Sequence, residues 1–315
     1  MPKIICGLMG TSVASGSSSL SGSNNLRPFL QMLTSHGVKE LDTARVYNSG
    51  KSEEDLGTIP TAQENFLIAT KAPGFSLGSL SYDKIIENCS KSLAALKQDR
   101  IGLYYFHGPD RETKVEESCR AINDLFKEGK IERFGVSNCS REEVEEIHGV
   151  CKTNGWLVPT VYQGGYNPLL RTTETALFPT LRRLGMVFYA YSPLGGGYFS
   201  RPTEQLRTPP AGGRMDQMKV FSSIYVNNLS LKLHEMLEEA CKKEDLSLKT
   251  ATLRYLTHHS ALGKDDGIIL GASSLEQMEQ NLEACEGDPL PDVVVSAFET
   301  LWAEYRKAYN PAYCV

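Results

Sequence analysis

The chain has 315 residues, 41% of them hydrophobic and 23% charged, with a formal net charge of −5. That balance excludes a disordered or fibrous chain, and with no cluster of Lys and Arg it also argues against nucleic acid as a partner. No apolar run approaches the ~20 residues that cross a bilayer, no basic-then-apolar segment opens the chain, and eight scattered cysteines form no CxxC pair, so a cytoplasmic protein with reduced thiols is expected.

Short apolar runs rich in β-branched or aromatic residues alternate along the chain with polar stretches of helical period. Strands are expected at residues 4–9, 40–42, 66–70, 101–107, 134–137, 160–163, 187–191 and 267–270. Between them, Ile85, Ile86, Cys89, Leu93 and Leu96 make one stripe of a helix over 83–96, and Cys119, Ile122 and Phe126 recur in a helix over 115–126. Parallel neighbours need a crossover long enough for a helix, so eight such units predict a closed (β/α)₈ TIM barrel, a single domain spanning 1–315. Residues beyond the ~250 of a typical barrel go to a long loop after the seventh strand and to a C-terminal helix and tail. The stretch 201–218 has no apolar period and carries Pro202, Pro209, Pro210, Gly212 and Gly213, so it reads as loop. Further helices are expected over 230–243, 248–257 and 292–305.

Active sites of such barrels gather where strands end. The second strand ends in Asp42, the third runs into Lys71 and the fourth into His107. Singly, these residues read as a cap, a solvated lysine and a core histidine. Jointly they deliver three ionisable groups to one rim, where a partly buried ammonium needs a counter-charge and Asp42 is the nearest candidate. Tyr47 lies five residues after Asp42 on the loop that leaves the same strand end. A phenol beside a cation has its phenolate stabilised, and its pKa falls from ~10 toward working pH, the condition for general acid catalysis. His107 is then placed to orient an incoming oxygen. No pair of histidines has metal-ligand spacing on a helix, and no metal is expected.

The segments DTARVYNSGKSEEDLG, ATKAPG, YYFHGPD, GKIERFGVSNCS, VYQGGYNPLL, FYAYSPLGGG and LGASSLEQMEQNLEA resemble, in order, the signatures of the aldo-keto reductase superfamily, over residues 4 to about 285. Within it the chain is most similar to the aflatoxin aldehyde reductase subfamily. The resemblance implies a tetrad of Asp42, Tyr47, Lys71 and His107, without substitution, and a nicotinamide cofactor held in extended form across the C-terminal face. It places Ser137, Asn138 and Gln163 on the carboxamide and Tyr191, followed by Ser192, against the ring. Leu194 and Gly196 fall in its pyrophosphate-covering loop, with Arg201 and Arg214 as candidate cations. Gly271, Ser273 and Gln277 would meet the 2′-phosphate end, and Gln280 and Asn281 the adenine. Many family members carry a Lys or Arg in that last stretch and this one has none, so NADPH is expected while NADH stays open.

The activity implied is reduction of a small-molecule aldehyde or ketone. Tyr47 and His107 would touch the substrate, with Met9, Tyr166 and Met215 as pocket walls and Trp156, Phe221, Tyr309 and Tyr313 as further aromatic candidates. The same fold also serves cofactor-binding regulatory proteins with little turnover; the intact tetrad argues for the enzyme. A barrel aldolase using Lys71 as a Schiff-base nucleophile is a further rival. Members of the resembling subfamily often form homodimers.

Overall fold

The computed structural model describes residues 1–11, 20, 22–208, 225–309 and 311–314. Eight parallel strands close into a barrel in sequence order: β1 (Lys3–Gly7), β2 (Glu40–Asp42), β3 (Leu67–Ala72), β4 (Ile101–Phe106), β5 (Ile131–Ser137), β6 (Val161–Gly165), β7 (Val187–Tyr191) and β8 (Gly267–Gly271). Closure is made by β1, which pairs with β2 on one side and with β8 on the other, from Lys3 opposite Gly267 to Gly7 opposite Gly271.

Around the barrel lie α1 (Ser23–Ser35), α2 (Lys51–Gly57), α3 (Pro60–Asn65), α4 (Tyr82–Leu96), α5 (Val115–Lys127), α6 (Arg141–Thr153), α7 (Thr173–Ala176), α8 (Phe178–Arg183), α9 (Thr203–Arg207), α10 (Asn228–Lys243), α11 (Leu248–His258), α12 (Leu275–Glu286) and α13 (Asp292–Ala308).

Side chains alternate across each strand, so the sheet has two apolar faces. Ile5, Ala69, Leu103, Tyr105, Val161, Tyr189 and Ile269 fill the barrel. The opposite phase, including Ile68, Tyr104, Phe106, Phe134, Tyr162, Phe188 and Ile268, packs under the helices. A polar plug closes the N-terminal end: Glu40 accepts hydrogen bonds from Lys3 Nζ at 3.3 Å and from Tyr189 Oη at 2.9 Å.

Each expected strand is present; β2 and β7 keep the expected bounds, and the other ends shift by up to three residues. β1 stops at Gly7 rather than Met9, because the chain turns into a short 3₁₀ segment at Leu8–Thr11. β3 runs two residues further than expected and takes Lys71 into the sheet. The stretch expected as loop from 201 contains α9 over Thr203–Arg207. That helix is fixed by tertiary partners, since Thr203 bonds Glu238 and His234 of α10. No helix among the described residues is long and apolar enough to cross a membrane.

Candidate active site

Asp42 closes β2 and points into the C-terminal mouth, where it is 4% exposed. Lys71 on β3 is 2% exposed and donates from Nζ to Asp42 Oδ1 at 2.6 Å and to the Thr43 carbonyl at 2.7 Å. The other carboxylate oxygen, Oδ2, accepts from Gln163 Nε2 at 2.7 Å across the barrel. Burial alone would pull the lysine pKa down. The Asp42 carboxylate, with Tyr47 adding, more than offsets this and holds it above the ordinary value. The ammonium is therefore a fixed positive charge.

Tyr47 opens a tight 3₁₀ turn, Tyr47–Gly50, whose next three residues are left-handed: Asn48 (φ 50°), Ser49 (φ 51°) and Gly50 (φ 93°). A side chain at Gly50 would strike the Arg45 guanidinium, which instead donates to the Gly50 carbonyl at 3.2 Å. Left-handed conformations at two non-glycine residues cost free energy and persist only where surroundings impose them. Here the turn brings the Tyr47 ring to within 5.0 Å of Lys71 Nζ, measured to the ring centroid.

His107 follows β4 and sets its ring edge-on to Tyr47, with centroids 5.9 Å apart. Burial, with the Lys71 cation adding, pushes its pKa down to about 3, so the imidazole is neutral at neutral pH. Phe75 stands on its other side at 5.5 Å, half-exposed and itself left-handed (φ 67°). Gly108 leaves room for that ring, since a Cβ there would lie 2.5 Å from it.

Ser137, Asn138 and Tyr191 come together on the adjoining rim. Asn138 (φ 60°) donates from Nδ2 to the His107 carbonyl at 2.9 Å and to Ser137 Oγ at 3.0 Å, and its Oδ1 accepts from Tyr191 Oη at 2.7 Å. Burial, with Tyr47 nearby, raises the Tyr191 phenol to about 12. The amide donors of Asn138 and Gln163 are thus engaged with protein partners, which the sequence did not reveal.

After β7 the chain turns at Ser192 (φ 55°), whose carbonyl accepts from Gly195 N at 3.0 Å, and Leu194 accepts from Gly197 N at 3.1 Å. Gly195, Gly196 and Gly197 all have positive φ, a run that side chains would strain. Arg201 lies against this turn, its Nε 3.5 Å from where a Gly197 Cβ would sit, and its Nη1 is buried without a partner among the described residues.

Gly271 ends β8 opposite Gly7. Ser274 caps α12 by accepting from Gln277 N at 3.1 Å, while Gln277 Oε1 accepts from Ser273 N at 2.8 Å. Asn281 is buried with Oδ1 unpartnered, and Gln280 is exposed. Among the described residues, an orphaned guanidinium nitrogen and an orphaned amide oxygen fit a ligand carrying both an anion and hydrogen-bonding groups.

Several expected contacts fall elsewhere. Tyr166 is not a pocket wall: it is fully buried under the helices against Phe178 and Phe188, with its hydroxyl donating to Glu174 at 2.7 Å. It sits one residue past β6, in the outward phase. Trp156 follows the last turn of α6, the end away from the strand C-termini, and Tyr309 stacks on Tyr305 at the end of α13. Tyr313 reaches the first turn of α6, accepting from Arg141 N at 2.7 Å. Met9, by contrast, stays at a strand end, 38% exposed just past β1. Arg214, Met215 and Phe221 lie outside the described residues.

The sequence reading missed Glu53. It is wholly buried, accepting from Thr70 Oγ1 at 2.6 Å and from Arg45 Nη1 at 3.0 Å. Within SEEDLG it looks like one of several surface acids. The signal available was phase, since Glu53 lies three residues before buried Leu56.

A barrel whose one rim holds a buried Asp–Lys pair, a tyrosine over the ammonium and a neutral histidine belongs to the (β/α)₈ class with its ionisable residues gathered at the strand C-termini. The comparisons make that class particular. The Aldo/keto reductase family profile matches residues 3–303. Aflatoxin B1 aldehyde reductase member 2 of Rattus norvegicus is 39% identical over 295 residues, covering 88% of this chain and 78% of the rat protein. Aldo-keto reductase family 7 member A3 of Homo sapiens is 40% identical over 294 residues, covering 88% and 87%. An aldo-keto reductase of Pseudocercospora fijiensis is 35% identical over 287 residues, covering 87% and 96%. The chain belongs to the aldo/keto reductase family and is an oxidoreductase acting on carbonyl compounds.

Proposed function

We propose that the chain is an NADPH-dependent reductase of aldehydes or ketones in which Tyr47 is the general acid. The observation that carries this reading is the buried Lys71 ammonium, 2.6 Å from Asp42 and 5.0 Å from the Tyr47 ring centroid. When bound, the nicotinamide supplies the hydride that the carbonyl carbon accepts.

The chain's own residues do the rest. Lys71 stabilises the Tyr47 phenolate, lowering the cost of giving its proton to the carbonyl oxygen. Asp42 holds Lys71 charged and in place, and Gln163 fixes Asp42. His107, neutral, keeps a ring N–H to hydrogen-bond the same oxygen without competing for the proton. Ser137, Asn138 and Gln163 form the polar rim for the carboxamide, and Tyr191, pinned by Asn138, offers its ring face to the nicotinamide. Arg201 is the cation for the pyrophosphate, with the glycine turn allowing close backbone approach. Met9, Val46 and Phe75, all exposed in the loops after β1, β2 and β3, would contact the substrate's apolar part.

The test is Tyr47→Phe. Carbonyl reduction should fall by about 10³-fold, within the range for losing a positioned proton donor, while the dissociation constant for NADP⁺ stays within about twofold. Full turnover in the variant would remove the general-acid role. NADP⁺ binding without turnover of any carbonyl by the native chain would instead point to a regulatory protein on the same fold.

A further inference from the structure

Residues 271–281 contain no Lys or Arg to meet a 2′-phosphate. The fold brings one from the preceding helix. Lys249 stands in the first turn of α11, which packs along α12, and its Nζ lies 2.8 Å from Gln280 Oε1. It is half-buried, and among the described residues its direct partner is a neutral amide; Glu276, in the first turn of α12, attracts it from further away. A half-buried ammonium without a carboxylate against it is an under-compensated charge, and an anion arriving there would be favoured.

Two independent features mark the same stretch as a ligand surface. Asn281, beside Gln280, is 1% exposed with an unpartnered Oδ1. The α11 helix also packs against the Gly195–Ser200 turn that carries Arg201 and its unpartnered Nη1. Arg201 therefore follows a turn that contacts α11, and Lys249 stands on α11 itself, at its seam with α12. Two cations joined through one helix suit a ligand with two separate anionic groups.

We propose that Lys249 receives the 2′-phosphate of NADP(H), so that selectivity against NAD(H) is set from α11 rather than from the helix after the last strand. The proposal rests on the reductase reading above. Gln280 releases the ammonium as the phosphate arrives, and Glu276 is the opposing charge that limits affinity.

Calorimetric titration of NADP⁺, NAD⁺, adenosine 2′,5′-bisphosphate and adenosine 5′-monophosphate into the native chain and its variants tests this without turnover. Lys249→Gln should weaken NADP⁺ and the bisphosphate about tenfold or more, the equivalent of one lost charge-assisted contact, and NAD⁺ by less than about twofold. Lys249→Arg should retain most of the NADP⁺ affinity, and Glu276→Gln should increase it. Unchanged thermal denaturation of each variant establishes that its fold is intact. Equal losses for NADP⁺ and NAD⁺, or none for either, overturn the proposal while leaving the reductase reading in place. A folded native chain that binds neither dinucleotide overturns both.

Discussion

Lys71 is useful only because it cannot lose its charge. Burial works against the ammonium, but Asp42 at 2.6 Å and the Thr43 carbonyl at 2.7 Å hold it protonated. Lys71→Met should therefore do more than slow the reaction. With Tyr47 as the proposed general acid, the alkaline limb of the kcat profile should move to higher pH, and kcat should fall about 10²-fold or more at neutral pH. An unmoved limb would show that the lysine does not tune the phenol. His107 gives a second, opposite case. Its imidazole is neutral in the folded protein down to about pH 3, whereas an unfolded histidine takes a proton near pH 6.5. Between those values the unfolded state binds more protons, so this residue's contribution is full above pH 6.5 and is lost as pH falls toward 3. From pH 7 to pH 5 it should remove about 2 kcal/mol of unfolding free energy, read by urea titration, and His107→Asn should show a correspondingly smaller drop. Asp42, Lys71 and His107 were legible in the sequence because each stands at the end of an apolar run, and Tyr47 because it lies on the loop that leaves the strand ending in Asp42. Gln163 as the partner of Asp42 was not, since β2 and β6 face each other only across the closed barrel interior.

Elements hold that geometry in register, and the joint between α2 and β3 is the clearest instance. Glu53 on α2 accepts from Thr70, the residue before Lys71, and from Arg45, two residues before Tyr47. One carboxylate thereby ties the strand that carries the ammonium to the turn that carries the phenol. Glu53→Gln keeps the size but leaves part-exposed Arg45 without its buried counter-charge, which should cost about 1–3 kcal/mol of stability. The turn would also relax from its left-handed run, so kcat should fall while KM for the carbonyl changes little; a loss confined to stability would make the joint purely structural. Strand and helix periods were readable because they follow local burial. The short helix α9 was not, because five residues after Pro202 carry no amphipathic pattern and are fixed by His234 and Glu238, some 30 residues further along. Tyr166 was misplaced for a related reason: one step past β6, the direction of a side chain is set by how the chain leaves the sheet.

The whole barrel separates chemistry from closure. The tetrad lies at the C-terminal ends of the strands, while the last strand is bolted at the other end by Asp266, immediately before β8 and 1% exposed. Its carboxylate accepts from Phe188 N of β7 at 2.7 Å, from Gly263 N at 2.6 Å and from Arg182 of α8 at 2.9 and 2.5 Å. Those bonds join β7, α8 and the approach to β8, and β8 in turn hydrogen-bonds to β1 to complete the ring. In a closed barrel no strand is spare, so weakening the seam should loosen the fold as a unit rather than fray an edge. Asp266→Asn places an amide N–H among donors and removes the charge facing Arg182. Because that guanidinium is partly exposed and water can reach it, the orphaned backbone N–H groups dominate the cost, about 3 kcal/mol overall. The urea midpoint should fall accordingly at unchanged m-value, yet the folded fraction should keep its native kcat, since the Asp42–Lys71 pair and the Tyr47 turn sit at the opposite end. A variant that loses kcat while keeping its urea midpoint would show instead that the two ends of the barrel are coupled.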